Sequence, residues 1–451
     1  MANSNLDDSR RFMMTDWNTL WLVAGIVLTT ATQLRVAGGS IGPGEVMLAI
    51  WILLAIGRVL IAQCHLMSPL VKAVLLFWIA CCLALALGTA IASSQGIIAV
   101  EADLQHNMQA LIFASAFSLV FTISFTSVQK IKQGLVYFTA LITIPLGILF
   151  FFPSILPFIN SQYGNVRFSG WSLNPNQTAL SLLFIPFFSL YLLKESQDTF
   201  GKIWYGLLAA VSIFLGIATR SDALSFAWDI GAICLVIFGI DRVFLNILIN
   251  NIHFSVRLNI YRLLIRLLLL AIALLSLPVV YYAVSSTAVE VYDDGGQGSD
   301  RLRLWANGIA AFSHSPIFGL GPGSHSGEIG PFLSQECHNT FIDWLTNAGS
   351  VGLISYIVLL AWIGWMTWRK GSPILLAAVI ASVGFASFHY VLRQSLYWFC
   401  LLTIAEITLF SSDNHRRLLN QMMDPERDDQ EGIATPVVLT KGLRSTGSHS
   451  V

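Results

Sequence analysis

The chain has 451 residues, of which 55% are hydrophobic and 11% charged, with 25 Lys and Arg balancing 25 Asp and Glu. A mean hydropathy of +0.70 excludes an ordinary soluble domain, because so few charges cannot cover the water-facing surface of a chain this long. The net charge of zero points to no acidic or basic partner, and no nucleic-acid partner is expected.

Apolar stretches of about 20 residues, enough to cross a hydrocarbon layer of about 30 Å, recur along almost the whole sequence. They must cross as helices, since lipid offers backbone N–H and C=O groups no partner. In chain order the expected spans are 17–36, 45–63, 70–93, 108–127, 134–152, 177–193, 203–219, 224–240, 260–284, 347–367, 373–390 and 394–411. The expected fold is therefore an all-α polytopic membrane protein of about 12 transmembrane helices, with one large outer loop carrying a short helix between spans nine and ten.

Residues 1–16 read as a cytoplasmic N-terminus followed by an anchor, because no small-residue cleavage site follows the first apolar run. Spans one to nine fill 17–284, the outer loop 285–346, and spans ten to twelve 347–411. The tail 412–451 is polar, has no apolar periodicity and is expected to be disordered and cytoplasmic. With the N-terminus inside, 19 of the 25 Lys and Arg fall on the inner side. The six outer ones are Arg35, Arg167, Arg220, Arg301, Arg303 and Arg393. That asymmetry is the positive-inside pattern and sets the orientation. Of the six Cys only Cys337 stands outside the spans on the outer face, so no disulfide framework is expected.

Polar chemistry gathers on the outer side. The loop 153–176 is rich in Pro, Gly, Asn and Ser and contains the Asn174-Pro175-Asn176 turn. In the long loop, Ser299 can cap a helix from Asp300 to Phe312, ahead of Pro316 and the Gly-rich turn 318–324. That turn lacks the spacing of a phosphate loop or a dinucleotide fingerprint and reads as a tight turn. His338 and Asn339 stand just before the apolar run that begins near Leu345. No two outer His residues have zinc-site spacing, so no metal is expected. Asp229, inside the eighth span, fits either a transporter's intramembrane carboxylate or the border of a water-filled site.

Arg220 ends the seventh span in "GIATRSDALSF". It can snorkel, pair with Asp222, or grip phosphate oxygens bidentately; an idle outer Arg is disfavoured during insertion. Arg301 and Arg303 lie about 200° apart on a helix of 3.6 residues per turn, so one clamp cannot use both. Arg301 shares a face with Trp305 and Gly308 and is the expected ligand-facing member; Arg303 is expected to be solvated.

The stretches "DRLRLWANGIAAFSHSPIFGLGPGSHSG" (Asp300–Gly327) and "CHNTFIDWLTNAGSVGLISY" (Cys337–Tyr356) resemble the signature region of bacterial O-antigen ligases and related polymerases. The matching positions are Arg301, Trp305, Pro316, Gly319, Gly321, His338, Asn339, Gly349 and Gly352, with "NPNQTAL" and "ATRSDAL" similar upstream. The resemblance spans roughly 160–360. It implies a glycosyltransferase of the bacterial inner membrane with its active site in the periplasm. The donor it implies is a glycan on undecaprenyl diphosphate. A ligase moves that glycan to lipid A–core, a polymerase to another lipid-linked glycan, in both cases without nucleotide sugar, metal or cofactor.

On this reading His338 is the general base, Arg220 and Arg301 hold the diphosphate, and transfer inverts the anomeric centre. Further substrate-binding candidates are Arg167, Asn174, Asn176, Arg393 and Asn339, and the His338 ring has Asn339 or Glu336 as orienting partner. The favoured branch is the ligase, with the polymerase as alternative. A 12-helix transporter is the distant alternative, because no convincing pair of matching halves is seen and the polar chemistry concentrates in one long outer loop.

Overall fold

The computed structural model describes residues 16–35, 41–62, 68–97, 101–124, 127–164, 166–251, 297–369 and 372–423, with the backbone alone at 62, 101–102, 240–251, 297–299 and 411–423. The expected ninth span at 260–284 lies outside the described residues, as do 285–296 of the long loop and the tail after Met423. Contacts divide the chain into residues 1–408 and 409–451; of the second unit, the described part is helical to Met423, past the boundary expected at 412.

Polar punctuation sets the helix starts. Asp16 accepts from the Asn18 amide at 3.1 Å and opens α1 (Trp17–Thr29). α2 (Pro43–Ala62) and α3 (Pro69–Ser94) both begin with proline, whose missing N–H costs nothing in a first turn. α4 (Glu101–Ser124) and α5 (Val128–Phe151) follow. A two-residue hairpin, β1 (Gln162–Tyr163) with β2 (Arg167–Phe168), lies in the loop after α5. Asn174 caps α6 (Pro175–Leu183), and Pro186 separates it from α7 (Ile185–Glu195). α8 (Thr199–Ala218), α9 (Asp222–Asn251), α10 (Gln297–Phe312), α11 (Thr340–Arg369), α12 (Pro373–Ala386) and α13 (Ser395–Met423) complete the order.

Among the described residues, eight helical segments are long and apolar enough to cross a membrane, from Pro43–Ile61 to Thr340–Arg369. Trp17–Thr29, Pro373–Ala386 and Ser395–Phe410 are apolar but shorter. Among the described residues the molecule is mostly helical with little sheet, and each expected span other than the ninth overlaps a helix, the sixth falling on both α6 and α7. Several boundaries differ from expectation, and two of them bear on the site. α11 starts at Thr340 rather than 347, because the polar residues before the apolar run are inside the helix and buried: Thr340, Asp343, Thr346 and Asn347. α12 stops at Ala386, so 387–394 is a loop.

α9 packs along α12, α7 along α8, α1 along α2 and α3 along α11. Lipid is as apolar as Leu, so these contacts rest on close fit and satisfied polar atoms rather than on escape from water. Phe77, Trp78 and Trp398 form an aromatic cluster with centroids 4.9–5.5 Å apart. Their polar tips are all occupied: Trp78 donates to Ser118 Oγ at 2.7 Å, Trp398 to the Leu392 carbonyl at 2.6 Å, and Tyr356 and Tyr397 share a bond of 2.6 Å.

α11 is not continuous. Gly349 has φ 64° and ψ −163°, a conformation close to glycine-only, and a Cβ there would sit 2.3 Å from the Ile317 carbonyl oxygen. The turn 316–321 supplies what the broken helix loses. Leu320 and Gly321 amides donate to the Thr346 and Asn347 carbonyls at 2.7 and 3.0 Å, while Ser350 and Val351 amides donate to Pro316 and Ile317 at 2.9 and 3.2 Å. On its other side the turn presses on α3, where a Cβ at Gly88 would lie 2.7 Å from the Gly321 nitrogen. The Gly-rich turn is thus a backbone wedge between α3 and α11.

The helix ends sort by chemistry. At one end, where α2 finishes and α5 starts, Lys130 pairs with Asp16 at 4.0 Å, Lys132 with Glu195 at 2.7 Å, and Arg58 donates to Asn18 at 2.7 Å. At the other end α1 finishes and α6 begins, stitched by Trp171 Nε1 donating to Thr30 Oγ1 and the Leu173 amide to Thr32 Oγ1, both at 2.8 Å.

Candidate active site

A cavity of about 430 Å³ opens at that second end. Its walls come from the end of α1, the β1–β2 hairpin, the starts of α6 and α10, the 328–338 segment before α11, and the 385–396 stretch between α12 and α13. Chain positions as far apart as Thr29 and Leu396 therefore meet around one space.

His338 faces it from a backbone held on both sides. The buried Asp343 carboxylate accepts from the Cys337 amide at 2.7 Å and the Asn339 amide at 3.1 Å, the two peptide nitrogens that flank His338. Trp305 Nε1 donates to the Cys337 carbonyl at 2.9 Å. The Thr340 hydroxyl donates to the His389 carbonyl and accepts from the Val391 amide at 3.0 Å, tying this turn to the 387–394 loop. These bonds hold His338 at φ 54°, a left-handed conformation that costs a non-glycine residue about 1–3 kcal/mol. Four non-glycine residues among those described have positive φ, and Arg220, at 50°, is another.

The imidazole of His338 is about half exposed. Desolvation of its buried edge pulls its pKa below the ordinary value; Glu336 pulls upward, and Arg301 and Arg393 push down. The ring is therefore neutral at pH 7, as a proton acceptor must be. Glu336 Oε2 lies 3.9 Å from Nδ1. In the neighbouring loop, burial and then Arg301, His338 and Arg167 bring His389 down to about 3, so it too is neutral.

Most of the Arg residues on the cavity wall are already engaged. Arg35 pairs with Glu45, and Arg393 with Glu336 and with Asn107 Oδ1 at 3.0 Å. Arg167 donates to the Thr219 carbonyl at 3.0 Å and to Asn176 Oδ1 at 3.2 Å. Arg301 stands apart: no hydrogen bond or ion pair among the described residues engages its guanidinium. Arg303 turns away and pairs with Asp300, as the helix geometry requires.

Of the residues expected from sequence, His338, Arg301, Arg167, Asn174, Asn176 and Arg393 line the cavity. Asn174 is occupied as the α6 cap. Asn339 does not line the cavity, because its side chain caps α11, accepting from Phe341 and Ile342 amides at 3.0 and 3.3 Å. Arg220 is exposed and outside the wall, next to Thr219, whose carbonyl receives Arg167. Arg35, Tyr163, Gln177 and His389 were missed. The signal for Arg35 was present: it is an outer Arg kept against insertion bias, the same argument that selects Arg220. Among the described residues no three His, Cys, Asp or Glu gather closely enough to hold a metal ion.

Residues 178–357 match the family model Wzy_C, O-antigen ligase. That match supports the O-antigen ligase and polymerase superfamily for this chain. The match and the apolar helices together indicate a multi-pass membrane protein. The match also supports activity of the O-antigen ligase or polymerase type, and that family implies lipid-linked glycan substrates. The matched segment holds Arg220, Arg301 and His338 but ends before Arg393 and begins after Arg167. A comparison with curated proteins finds no match.

Proposed function

We propose that the chain is an O-antigen ligase, moving a glycan from undecaprenyl diphosphate to a hydroxyl of lipid A–core on the periplasmic face of the inner membrane, with both termini cytoplasmic. The observation that carries the reading is a neutral imidazole, His338, facing the same cavity as the Arg301 guanidinium, which nothing among the described residues engages. A sugar hydroxyl is a weak nucleophile at neutral pH. As its oxygen bonds to the anomeric carbon, His338 takes the proton, and the glycosyl–phosphate bond breaks with its electron pair leaving on the diphosphate. Base and leaving group act from opposite sides, so the anomeric configuration inverts. Arg301 on the cavity wall and Arg220, next to the Thr219 whose carbonyl receives Arg167, stabilise the charge that develops on the diphosphate. No metal is required, since these cations supply the neutralisation.

The test is a deletion strain. The ligase reading expects long glycan polymer stranded on its lipid carrier, restored to lipid A–core by the wild-type gene. A strain that instead makes only single lipid-linked repeats moves the protein to the polymerase branch. In the same strain His338→Ala and His338→Gln, accumulated to normal level in the membrane, should lower transfer by about 10²–10⁴-fold. Near-normal transfer by either removes His338 as the base.

A further inference from the structure

We infer that Glu336, fixed by Arg393, is a positioning residue that orients the His338 ring and meets the charge formed on it during transfer. The inference rests on the role proposed above for His338. Glu336 reaches two basic side chains: Oε2 lies 3.9 Å from His338 Nδ1, and Oε1 is bound by Arg393. Arg393 cannot drift, since its other nitrogen donates to Asn107 Oδ1 at 3.0 Å and its guanidinium lies 5.2 Å over the Tyr390 ring. Two other carboxylates among the described residues are committed. Asp343 holds the two backbone amides around His338, and Asp300 holds Arg303.

A carboxylate facing Nδ1 keeps the hydrogen on that nitrogen and leaves the Nε2 lone pair for the acceptor hydroxyl. When Nε2 takes the proton, the imidazolium and Glu336 need close only about 1 Å to make a charge-assisted bond of about 2.7–2.9 Å. Arg393 tempers the pull of Glu336, so the resting ring is not protonated prematurely. Among the described residues, the charged and titratable groups around the ring are Glu336 on its own segment, Arg301 on α10, and His389 and Arg393 on the 387–394 loop. They predict opposite effects. Without Glu336 the ring becomes harder to protonate, and without Arg393 easier.

The experiment uses the purified full-length protein. It measures transfer rate against pH, and separately the titration of His338 by diethyl pyrocarbonate labelling read on its own peptide by mass spectrometry. Glu336→Gln should move the acid limb and the labelling titration to lower pH and slow transfer at the optimum at least tenfold, with Glu336→Asp recovering part of the rate. Arg393→Gln should move both titrations to higher pH, and the double variant should return them towards wild type. If Glu336→Gln slows transfer without moving either titration, or moves them upward, the inference is overturned; should Arg393→Gln not accumulate, this single variant still decides. If the labelling titration shifts as stated while the wild-type protein transfers nothing from a lipid-linked donor, the Glu336–His338 coupling stands and the proposed function falls.

Discussion

Arg301 and Arg303 are two residues apart, equally charged and equally placed in the first turns of α10, yet their surroundings differ. Arg303 is exposed and neutralised by Asp300; Arg301 faces the cavity, and nothing among the described residues engages its donors. A charge-assisted hydrogen bond is worth about 1.5–3 kcal/mol, and Lys cannot reproduce the planar fork that grips two oxygens. Arg301→Lys should therefore reduce transfer by about tenfold or more, Arg220→Lys by less, given its place outside the cavity wall, and Arg303→Lys hardly at all. Radiolabelled glycan transfer by membranes of matched protein content measures the order. Arg303→Lys emerging as the most damaging would overturn the facing of α10.

Helices were legible in the sequence because a span needs a long apolar run and nothing else in a bilayer; their ends were not. Hydropathy assigns Thr340, Asp343 and Thr346 to a loop. The structure buries all of them in the first turns of α11, where they bridge to 387–394, clamp the His338 backbone or accept from the wedge at 316–321. The pairing of Glu336 with Arg393 was equally hidden, since it joins loops 57 positions apart that no local pattern connects. What could be read was the outer set of Arg, because insertion bias acts on sequence itself. At this scale Gly349 is the sensitive point. Gly349→Ala places a methyl 2.3 Å from the Ile317 oxygen in a backbone region closed to alanine. It should destabilise by about 2 kcal/mol or more, seen as a lower melting temperature in detergent. Gly57→Ala, where a Cβ meets nothing within 4 Å, should be neutral or mildly stabilising, by up to about 1 kcal/mol. Equal melting temperatures for the two variants would rule out the wedge as a structural keystone.

Lysine-bearing helix ends gather away from the cavity, and the cavity gathers four of the six Arg residues expected on the outer side, Arg35, Arg167, Arg301 and Arg393. Inner Lys and Arg are held back by the membrane potential and the anionic leaflet during insertion. Cysteine introduced at Glu328, on the cavity wall, should react with an impermeant maleimide in intact spheroplasts, and cysteine at Gln197 only after permeabilisation. Reversed labelling would turn the orientation over and place the cavity in the cytoplasm.

The wedge and the threonine bridge also bear on how such a protein can be re-engineered. The stretch from Arg301 to Tyr356 carries every signature residue after Arg220 and looks like a transferable cassette, yet its mates lie elsewhere in the chain. Gly88 on α3 leaves room for the wedge, the 387–394 loop receives the Thr340 hydroxyl, and Arg393 answers Glu336. Transplanted alone into a relative, the cassette would meet a foreign α3 and a foreign 387–394 loop, and its imidazole would lose its counterpart. Specificity swaps between relatives should therefore move three separated segments together: residues around 88, 297–357 and 387–394.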